Sequence, residues 1–267
     1  MKKIIKRIYK SKYMPEFLKE EPWFYIKSDK KRISQLKNIY NEQKIVIVGN
    51  GPSLNKINFD LLKSVKTISF NSIFLKKEFK PFIYMVEDGA VARENYKTIN
   101  KYKSEYRFFP KCYKSFLDYD ENTYFFNMNR GMYEETSTNY NMPRFSGDFS
   151  KRGYCGQSVT IMSLQLAFFM GFKDIGLIGM DFNYVIPKDT IIDGHNYLSQ
   201  GEDPNHFHSN YFGAGKTWHD PKLENVKKSY ELAKIIFESD NRNIVNCTIG
   251  GKLEVFQRKS LENFLND

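Results

Sequence analysis

The chain is poor in cysteine. Three cysteines, at positions 112, 155 and 247, stand in 267 residues. Scattered and odd in number, they exclude a disulfide frame and a cysteine-rich zinc site, and they fit reduced thiols in the cytoplasm. No apolar run reaches the roughly 18 residues a spanning helix needs. The first residues, MKKIIKRIYKSKYM, carry charge but neither a long apolar stretch nor a small-residue cleavage site. That pattern argues against a secretory signal and for a cytoplasmic location. Internal repeats and low-complexity linkers are also lacking.

Charge is present but uneven. The net charge is +10, and residues 1–40 hold 12 Lys/Arg against 4 Asp/Glu, which is +8 and leaves +2 for the rest. A body so nearly neutral is not a nucleic-acid surface. We therefore divide the chain into a basic extension, 1–40, and one nucleotide-binding domain, 41–267. In the extension Ile4, Ile5, Ile8, Tyr9, Phe17 and Leu18 mix with lysines, as in a segment that rests on an anionic membrane face. The alternative is a solvated basic segment packed on the domain or on a partner. Aromatic residues make up 16% of the chain, enough for a large core with many stacking surfaces.

The organising stretch is KIVIVGNGPSL, residues 44–54. A β-branched run, Ile45 to Val48, breaks at Gly49, Asn50, Gly51, Pro52 and Ser53. An apolar strand ending in a glycine turn is how an α/β sheet offers backbone N–H groups to a phosphate. Gly49 and Gly51 permit positive φ and close approach, and Asn50 and Ser53 add side-chain donors. Leu54 stands where a dinucleotide fingerprint would have its third glycine, and no Gly-Lys-Ser/Thr follows, so the turn does not name its ligand. An ordinary strand-to-helix turn has the same look.

Further strands are expected at 67–70, 82–86, 106–109, 123–126, 175–178 and 244–246. Helices are expected at 159–170, 223–239 and 260–265. Ser158 suits an N-cap and Gly171 a C-terminal left-handed position. Strands alternating with helical pieces predict an α/β fold, a single Rossmann-like domain with a mainly parallel sheet that binds ligands at strand carboxyl ends. Asn71, Asp88 and Asp181 occupy such ends, as helix caps or as ligand contacts. Residues 127–155 read as a long polar connection, with Asn129, Arg130, Arg144 and Lys151.

Residues 183–221 read as a lid-like loop holding all four histidines, 195, 206, 208 and 219, with Tyr184, Asp193, Tyr197, Tyr211, Lys216 and Trp218. The histidines admit three roles: metal ligands, a general base, or hydrogen-bonding loop residues. No motif of the H-E-x-x-H kind favours the metal. Asp118-Tyr119-Asp120 has the form of a cation-holding carboxylate pair, but its neighbours Glu121 and Asn122 favour a solvated turn.

VIVGNGPSL at 46–54, SFNSIF at 69–74 and GFKDIGLIGMDF at 171–182 together resemble bacterial lipooligosaccharide sialyltransferases of the Campylobacter and Haemophilus type, and the related domain of flagellin-modifying motility accessory factors. The resemblance covers about residues 44–250. It implies a nucleotide-binding domain with a lid, acting without metal or cofactor on a CMP-activated nonulosonic or Kdo-like sugar. A histidine would deprotonate the acceptor and lid tyrosines would stabilise the leaving phosphate. Carried over, Asn50, Gly51, Ser53 and Asn71 become nucleotide contacts. Asn205-His206-Phe207 resembles the catalytic Ser-His-Tyr, so His206 is the expected base. Tyr184 and Tyr197 are the candidate phosphate tyrosines. Gly156-Gln157-Ser158 stands where the sialyltransferases have Thr-Ser-Gly, and Glu87-Asp88 where they have Asn-Pro. The stretch NHFHSNYFGAGKTWHDP is nearer the motility-factor branch, which makes His208 a rival base.

The expected activity is inverting glycosyl transfer to a surface glycan or glycolipid. The nucleotide contacts would be Gly49, Asn50, Gly51, Ser53, Asn71, Asp88, Gln157, Ser158 and Asp181. The expected partners are the nucleotide-sugar donor, the acceptor and an anionic membrane face, with a second copy of the chain also among the partners considered. A Mg²⁺-dependent pterin pyrophosphokinase-like enzyme and a non-catalytic nucleotide-binding protein are the alternatives.

Overall fold

A computed structural model describes residues 14–194 and 196–267. Ile4, Ile5, Ile8, Tyr9 and His195 lie outside the described residues.

Two short helices come first, α1 (Glu16–Glu20) and α2 (Lys30–Ser34). Then follow β1 (Lys44–Val48), β2 (Lys66–Phe70), β3 (Ile83–Met85), α3 (Gly89–Glu94), α4 (Tyr96–Lys101), β4 (Tyr106–Pro110) and β5 (Thr123–Phe126). After them come β6 (Met128–Asn129), β7 (Gly153–Tyr154), α5 (Val159–Met170) and β8 (Asp174–Ile178). The chain continues with β9 (Ile191–Asp193), β10 (Asn196–Leu198), β11 (Thr217–His219), α6 (Leu223–Ser239), β12 (Asn243–Asn246), β13 (Gln257–Arg258) and α7 (Leu261–Asn266).

Eight strands form one sheet in the order β13-β12-β8-β1-β2-β3-β4-β5. Every neighbouring pair in it is parallel. Parallel strands are covered on both faces, so they read as continuous apolar runs. In β1, Ile45 and Ile47 face one apolar layer with α5 and α6, while Val46 and Val48 face the other with α3 and α7. Helix α5 is buried on nearly every side, as its uniform apolarity requires. Ser158 caps its start by accepting from the Thr160 N–H, and Gly171 ends it at φ 95°.

The chain order sets where a ligand can sit. From β1 it runs outward through β2 to β5, then returns to β8 on the other side of β1. The direction of winding reverses between β1 and β8, and at such a switch point the two following turns part to leave a crevice.

The boundary at residue 40 is not where the domain begins. Ile33 and Leu36 are part of the core. Asp29 pairs with the outer edge of β5, accepting from the Phe125 N–H at 2.8 Å and donating its own N–H to the Phe125 carbonyl at 2.8 Å. An otherwise open sheet edge is thereby covered. Glu20 and Glu21 are buried against Asn127, Asn129, Arg144 and Arg152. Residues 14–40 thus belong to the domain, since their apolar and acidic side chains complete its core and its edge.

The same contacts predict an acid-induced release. Hydrogen bonds from Ser137, the Thr138 N–H and Lys19 hold Glu16 down at about 2. Burial pushes Glu20 up, but hydrogen bonds from Asn129, Ser137, Asn139 and Arg144 outweigh it and leave the carboxyl below its ordinary value. Carboxylates depressed in the folded state stabilise it fully above their unfolded pKa and lose that contribution as pH falls. Trp23 fluorescence is therefore expected to change between about pH 4.5 and 2, and Glu16→Gln should flatten the change at its lower end. Constant emission across that window would separate these contacts from the docking of the segment.

The region 183–221 is not one loop. β9, β10 and β11 form a small antiparallel sheet, its register set by Tyr197 opposite both Ile192 and Trp218. Residues 127–155 likewise contain the β6–β7 pair and the fully buried Phe149.

Candidate active site

A cavity of 620 Å³ lies over the carboxyl ends of β8, β1, β2 and β3. That volume suits a ligand of nucleotide-sugar size. Its floor is the junction of two turns. Gly49 donates its N–H to the Ile178 carbonyl at 2.8 Å, and Gly51 donates to the Gly179 carbonyl at 2.9 Å, so strand pairing continues past β1 and β8. Neither Gly49 nor Gly51 has positive φ. Their smallness serves close approach between the two turns. A Cβ on Gly49 would overlap the Gly179 carbonyl group, with the carbonyl carbon at 2.8 Å, and one on Gly51 would overlap the Asp181 carboxylate, with Cγ at 2.7 Å.

Of the expected nucleotide contacts, Gly49, Asn50, Gly51, Asn71, Asp88, Gln157, Ser158 and Asp181 line the cavity, and Ser53 does not. Ser53 is buried, and its hydroxyl donates to Asp181 Oδ2 at 2.7 Å. It holds Asp181 rather than a ligand, because that carboxylate sits over the start of the 3₁₀ turn Pro52–Lys56 and takes its free donors. Asp88 Oδ1 accepts from the Ala90 and Val91 N–H groups at 2.7 and 3.1 Å, a helix cap within the cavity wall. Asn71 Oδ1 accepts from the Glu87 N–H at 3.3 Å and so fixes the end of β3. Asn50 donates to the Phe70 carbonyl and to Tyr211, both at 3.2 Å, while its buried Oδ1 has no partner. A buried acceptor left unmet is costly unless a ligand donor meets it.

Strain gathers here. Asn71, Gln157, Phe182 and Lys222 all line the cavity with positive φ, at 50°, 64°, 51° and 41°. Such conformations cost about 1–3 kcal/mol each in non-glycine residues and concentrate where side chains must be pre-placed.

His206 is pinned on every side. Its Nδ1 lies 2.7 Å from Asp203 Oδ2. Asp203 also accepts from the Asn205 N–H at 2.8 Å and the Phe212 N–H at 2.9 Å. Burial pushes the Asp203 carboxyl up, but the hydrogen bond and charge of His206 and these two N–H groups bring it below its ordinary value. An ionised Asp203 places the imidazole proton on Nδ1 and leaves Nε2 as the free acceptor. The ring stacks on Tyr211 at 4.0 Å with 5° between planes, and Tyr184 meets its edge at 6.1 Å. The flanking residues tie this loop to the sheet: the Phe207 N–H donates to the Asn50 carbonyl at 2.8 Å, and Asn205 exchanges two hydrogen bonds with Val185.

His208 does not line the cavity. Its Nδ1 accepts from the Asn210 N–H at 3.2 Å. Its ring lies 6.3 Å from that of the buried Phe207. Tyr184 lines the cavity, but Tyr197 does not. Tyr197 packs edge-on against Trp218 at 4.8 Å on the β10–β11 ribbon, a support for the wall. His219 also lines the cavity, and among the described residues no group of three His, Cys, Asp or Glu side chains converges as metal ligands. Asp120 is bound to Arg107, Lys103 and Thr123, so the Asp118–Asp120 pair is part of a structural turn.

Several lining residues were not legible as such: Trp23, Glu87, Arg93, Tyr133, Phe182, Lys222 and Tyr230. Asp203 had a local signal, standing three residues before His206. Glu87 had none. Burial first, then the nearby Asp88, pushes its carboxyl up to about 7, against the pull of Arg130, Cys155 and Tyr133.

The sequence profile of the family described as MptE-like, 6-hydroxymethylpterin diphosphokinase MptE-like, matches residues 24–187, more than half of the chain. The chain belongs to this MptE-like family. Within the MptE-like segment lie β1 to β8, the glycine turn, Glu87, Ser158, Asp181 and Tyr184; Asp203, His206 and Trp218 come after it. A solved structure of the sialyltransferase CstII from Campylobacter jejuni, in complex with the substrate analogue CMP-3FNeuAc, is similar over 81% of this chain and 85% of that one, at 16% identity and a TM-score of 0.44. No curated protein matches the chain.

Proposed function

We propose that this MptE-like chain is a metal-independent inverting glycosyltransferase. It would move a sialic-acid-like or Kdo-like sugar from a CMP-activated donor to a surface-glycan acceptor. One observation carries the reading: a histidine oriented by a buried aspartate faces a nucleotide-sized cavity next to the switch-point turn. In this mechanism the nucleotide lies against the turns after β1 and β8. Nε2 of His206 takes the proton of the acceptor hydroxyl as its oxygen attacks the anomeric carbon. The bond to the phosphate breaks on the opposite face, so the configuration inverts. Asp203 stabilises the imidazolium that forms. Tyr184, Lys222 and Ser158 supply positive charge and hydroxyl donors at the wall, of the kind that stabilises a departing phosphate.

The family's description supports a second reading, Mg²⁺-dependent diphosphate transfer to a pterin. A thermal-shift screen with CMP, CDP, UDP, GDP and ATP separates the two. CMP at a hundred times its dissociation constant should add about 2.7 kcal/mol of stability. The shift is expected to be equal in EDTA and in Mg²⁺. A shift with ATP alone, and only with Mg²⁺, moves the assignment to the diphosphokinase. Binding of CMP with no transfer from a CMP-sugar leaves a non-catalytic nucleotide-binding protein.

We further propose that residues 1–13 contact an anionic membrane face, which would place the enzyme peripherally on the cytoplasmic side. That stretch has six Lys/Arg and no acidic residue. Among the described residues no helix is long and apolar enough to cross a membrane. Deleting 1–13, which spares Ile33 and Leu36, is expected to lower binding to phosphatidylserine vesicles with unchanged CMP affinity. Equal vesicle binding by both forms sinks this proposal.

A further inference from the structure

The arginines among the described residues divide into two groups. Arg32, Arg107, Arg144, Arg152, Arg242 and Arg258 each hold a protein oxygen at 3.0 Å or closer. Arg93 and Arg130 hold none among the described residues. Both line the cavity, on its β3 side.

Arg130 is held in place without being satisfied. Its guanidinium lies 5.6 Å from the ring centre of Trp23 and 5.9 Å from that of Tyr133. Its backbone N–H donates to the Glu20 carbonyl at 2.8 Å. Among the described residues the one carboxylate within ion-pair range is Glu134 at 3.9 Å, the outer limit; the charge of Glu87 also acts on the guanidinium, without an ion-pair contact, and the side chain is 33% exposed. Arg93 lies beside Gly89 and the Tyr113 hydroxyl. The Tyr113 hydroxyl beside Arg93 donates to the Glu87 carbonyl at 2.6 Å, and Tyr133, beside Arg130, donates to Glu87 Oε1 at 3.3 Å, so the two guanidiniums flank the Glu87 segment. Glu87 and Asp88 are the acids of this wall, and among the described residues neither forms an ion pair with either guanidinium; Asp88 Oδ1 is taken up by its helix cap. Glu87 Oε1 is taken up by the Tyr133 hydroxyl and the Cys155 thiol, the latter at 3.6 Å.

Arg93 is exposed and Arg130 partly so; two like charges on one wall repel each other, and among the described residues no protein oxygen holds their donors at close range. A bound oxyanion offsets the repulsion, and the flat guanidinium fork suits two oxygens of one group.

We propose that Arg130, with Arg93, forms an oxyanion subsite on the β3 side of the cavity, apart from the glycine turn, for a carboxylate or phosphate carried by the non-nucleotide part of the substrate. The transferase reading would make that part an acidic sugar; the subsite itself does not depend on it.

The protein carries its own reporters. Its two tryptophans, Trp23 and Trp218, both line the cavity, and only Trp23 touches Arg130. In a Trp218→Phe background, N-acetylneuraminate, inorganic phosphate and neutral N-acetylglucosamine are titrated against Trp23 emission. A saturable change with at least one anion and none with the neutral sugar is expected. The anion that binds identifies carboxylate or phosphate as the recognised group. Arg130→Met should weaken it by about tenfold or more, and Arg130→Lys should recover part of the loss. CMP affinity, read by thermal shift, should stay within about twofold, which also shows that the variant is folded. The proposal is overturned if neither anion changes Trp23 emission, if Arg130→Met binds the anion as tightly as its parent, or if CMP and anion affinities fall together. If CMP fails to bind the unmodified protein while the anion response persists, the transferase reading fails and the subsite stands.

Discussion

Replacing His206 with alanine is expected to lower the rate of sugar transfer by roughly 10²–10⁴-fold, the range for loss of a general base. Nucleotide affinity should hardly change, because in the proposed mechanism the imidazole meets the acceptor and not the donor. The geometry sharpens the comparison. Nδ1 is committed to Asp203 at 2.7 Å, His206 lines the cavity, and among the described residues no hydrogen bond engages Nε2. Asp203→Asn should therefore cost a loss of similar order, since an amide can hold the ring in the wrong tautomer and cannot stabilise its charge. His208→Ala should transfer at close to the normal rate, because His208 does not line the cavity. If His208→Ala is the inactive variant and His206→Ala is not, the base has been misassigned. If both lose nucleotide binding, the histidines support the loop and the mechanism must be abandoned.

The second large effect is expected at Gly49. Gly49→Ala should destabilise the protein by roughly 1–3 kcal/mol or more, the cost of forcing atoms into a packed site. It should also remove CMP binding. The added Cβ would meet the carbonyl group of Gly179, and backbone cannot step aside as a side chain can. Gly51→Ala should cost less stability, because its nearest obstacle is the Asp181 carboxylate, which can rotate at the expense of its bond to Ser53, and the backbone it meets, the Gly179 carbonyl oxygen at 2.8 Å, is less deeply overlapped than by a Cβ on Gly49. Gly147→Ala is the control, with nothing within 4 Å of its added Cβ, and should leave the urea midpoint within experimental error. A Gly49→Ala protein with unchanged midpoint and unchanged CMP affinity would falsify the close approach of the two turns as the foundation of the site.

Much of this fold can be read from local pattern. The runs at 67–70, 106–109, 123–126 and 175–178 differ from β2, β4, β5 and β8 by at most one residue at an end. The helices 159–170 and 223–239 match α5 and α6. These elements are written in contiguous residues: β-branched runs buried on both faces, a serine before a helix and a glycine after it. His206 was singled out only by the resemblance of Asn205-His206-Phe207 to the sialyltransferase Ser-His-Tyr; the histidines' own spacing left their roles open. What failed was anything that needed a partner distant in sequence. The short strands β9 to β11 are hidden inside 183–221, because three-residue strands in a polar segment have too little periodicity to show. Residues 14–40 looked like an appendage, because their charge is conspicuous and their docking depends on Asn127, Asn129 and the edge of β5, about 100 residues away.

The sequence by itself determined the parallel α/β class, the glycine turn after β1 and the histidine-bearing segment that closes over it. Each of these follows from residue type and spacing within a window of some 10 to 20 residues, where backbone sterics and burial act locally. The tertiary structure alone decided which turn residues line the cavity, which histidine is among them, and that Arg93 and Arg130 stand on one wall with no close ion pair among the described residues. Those outcomes depend on where the sheet reverses its winding. The reversal between β1 and β8 brings residues 49–51 against 179–181, and no local propensity encodes that contact.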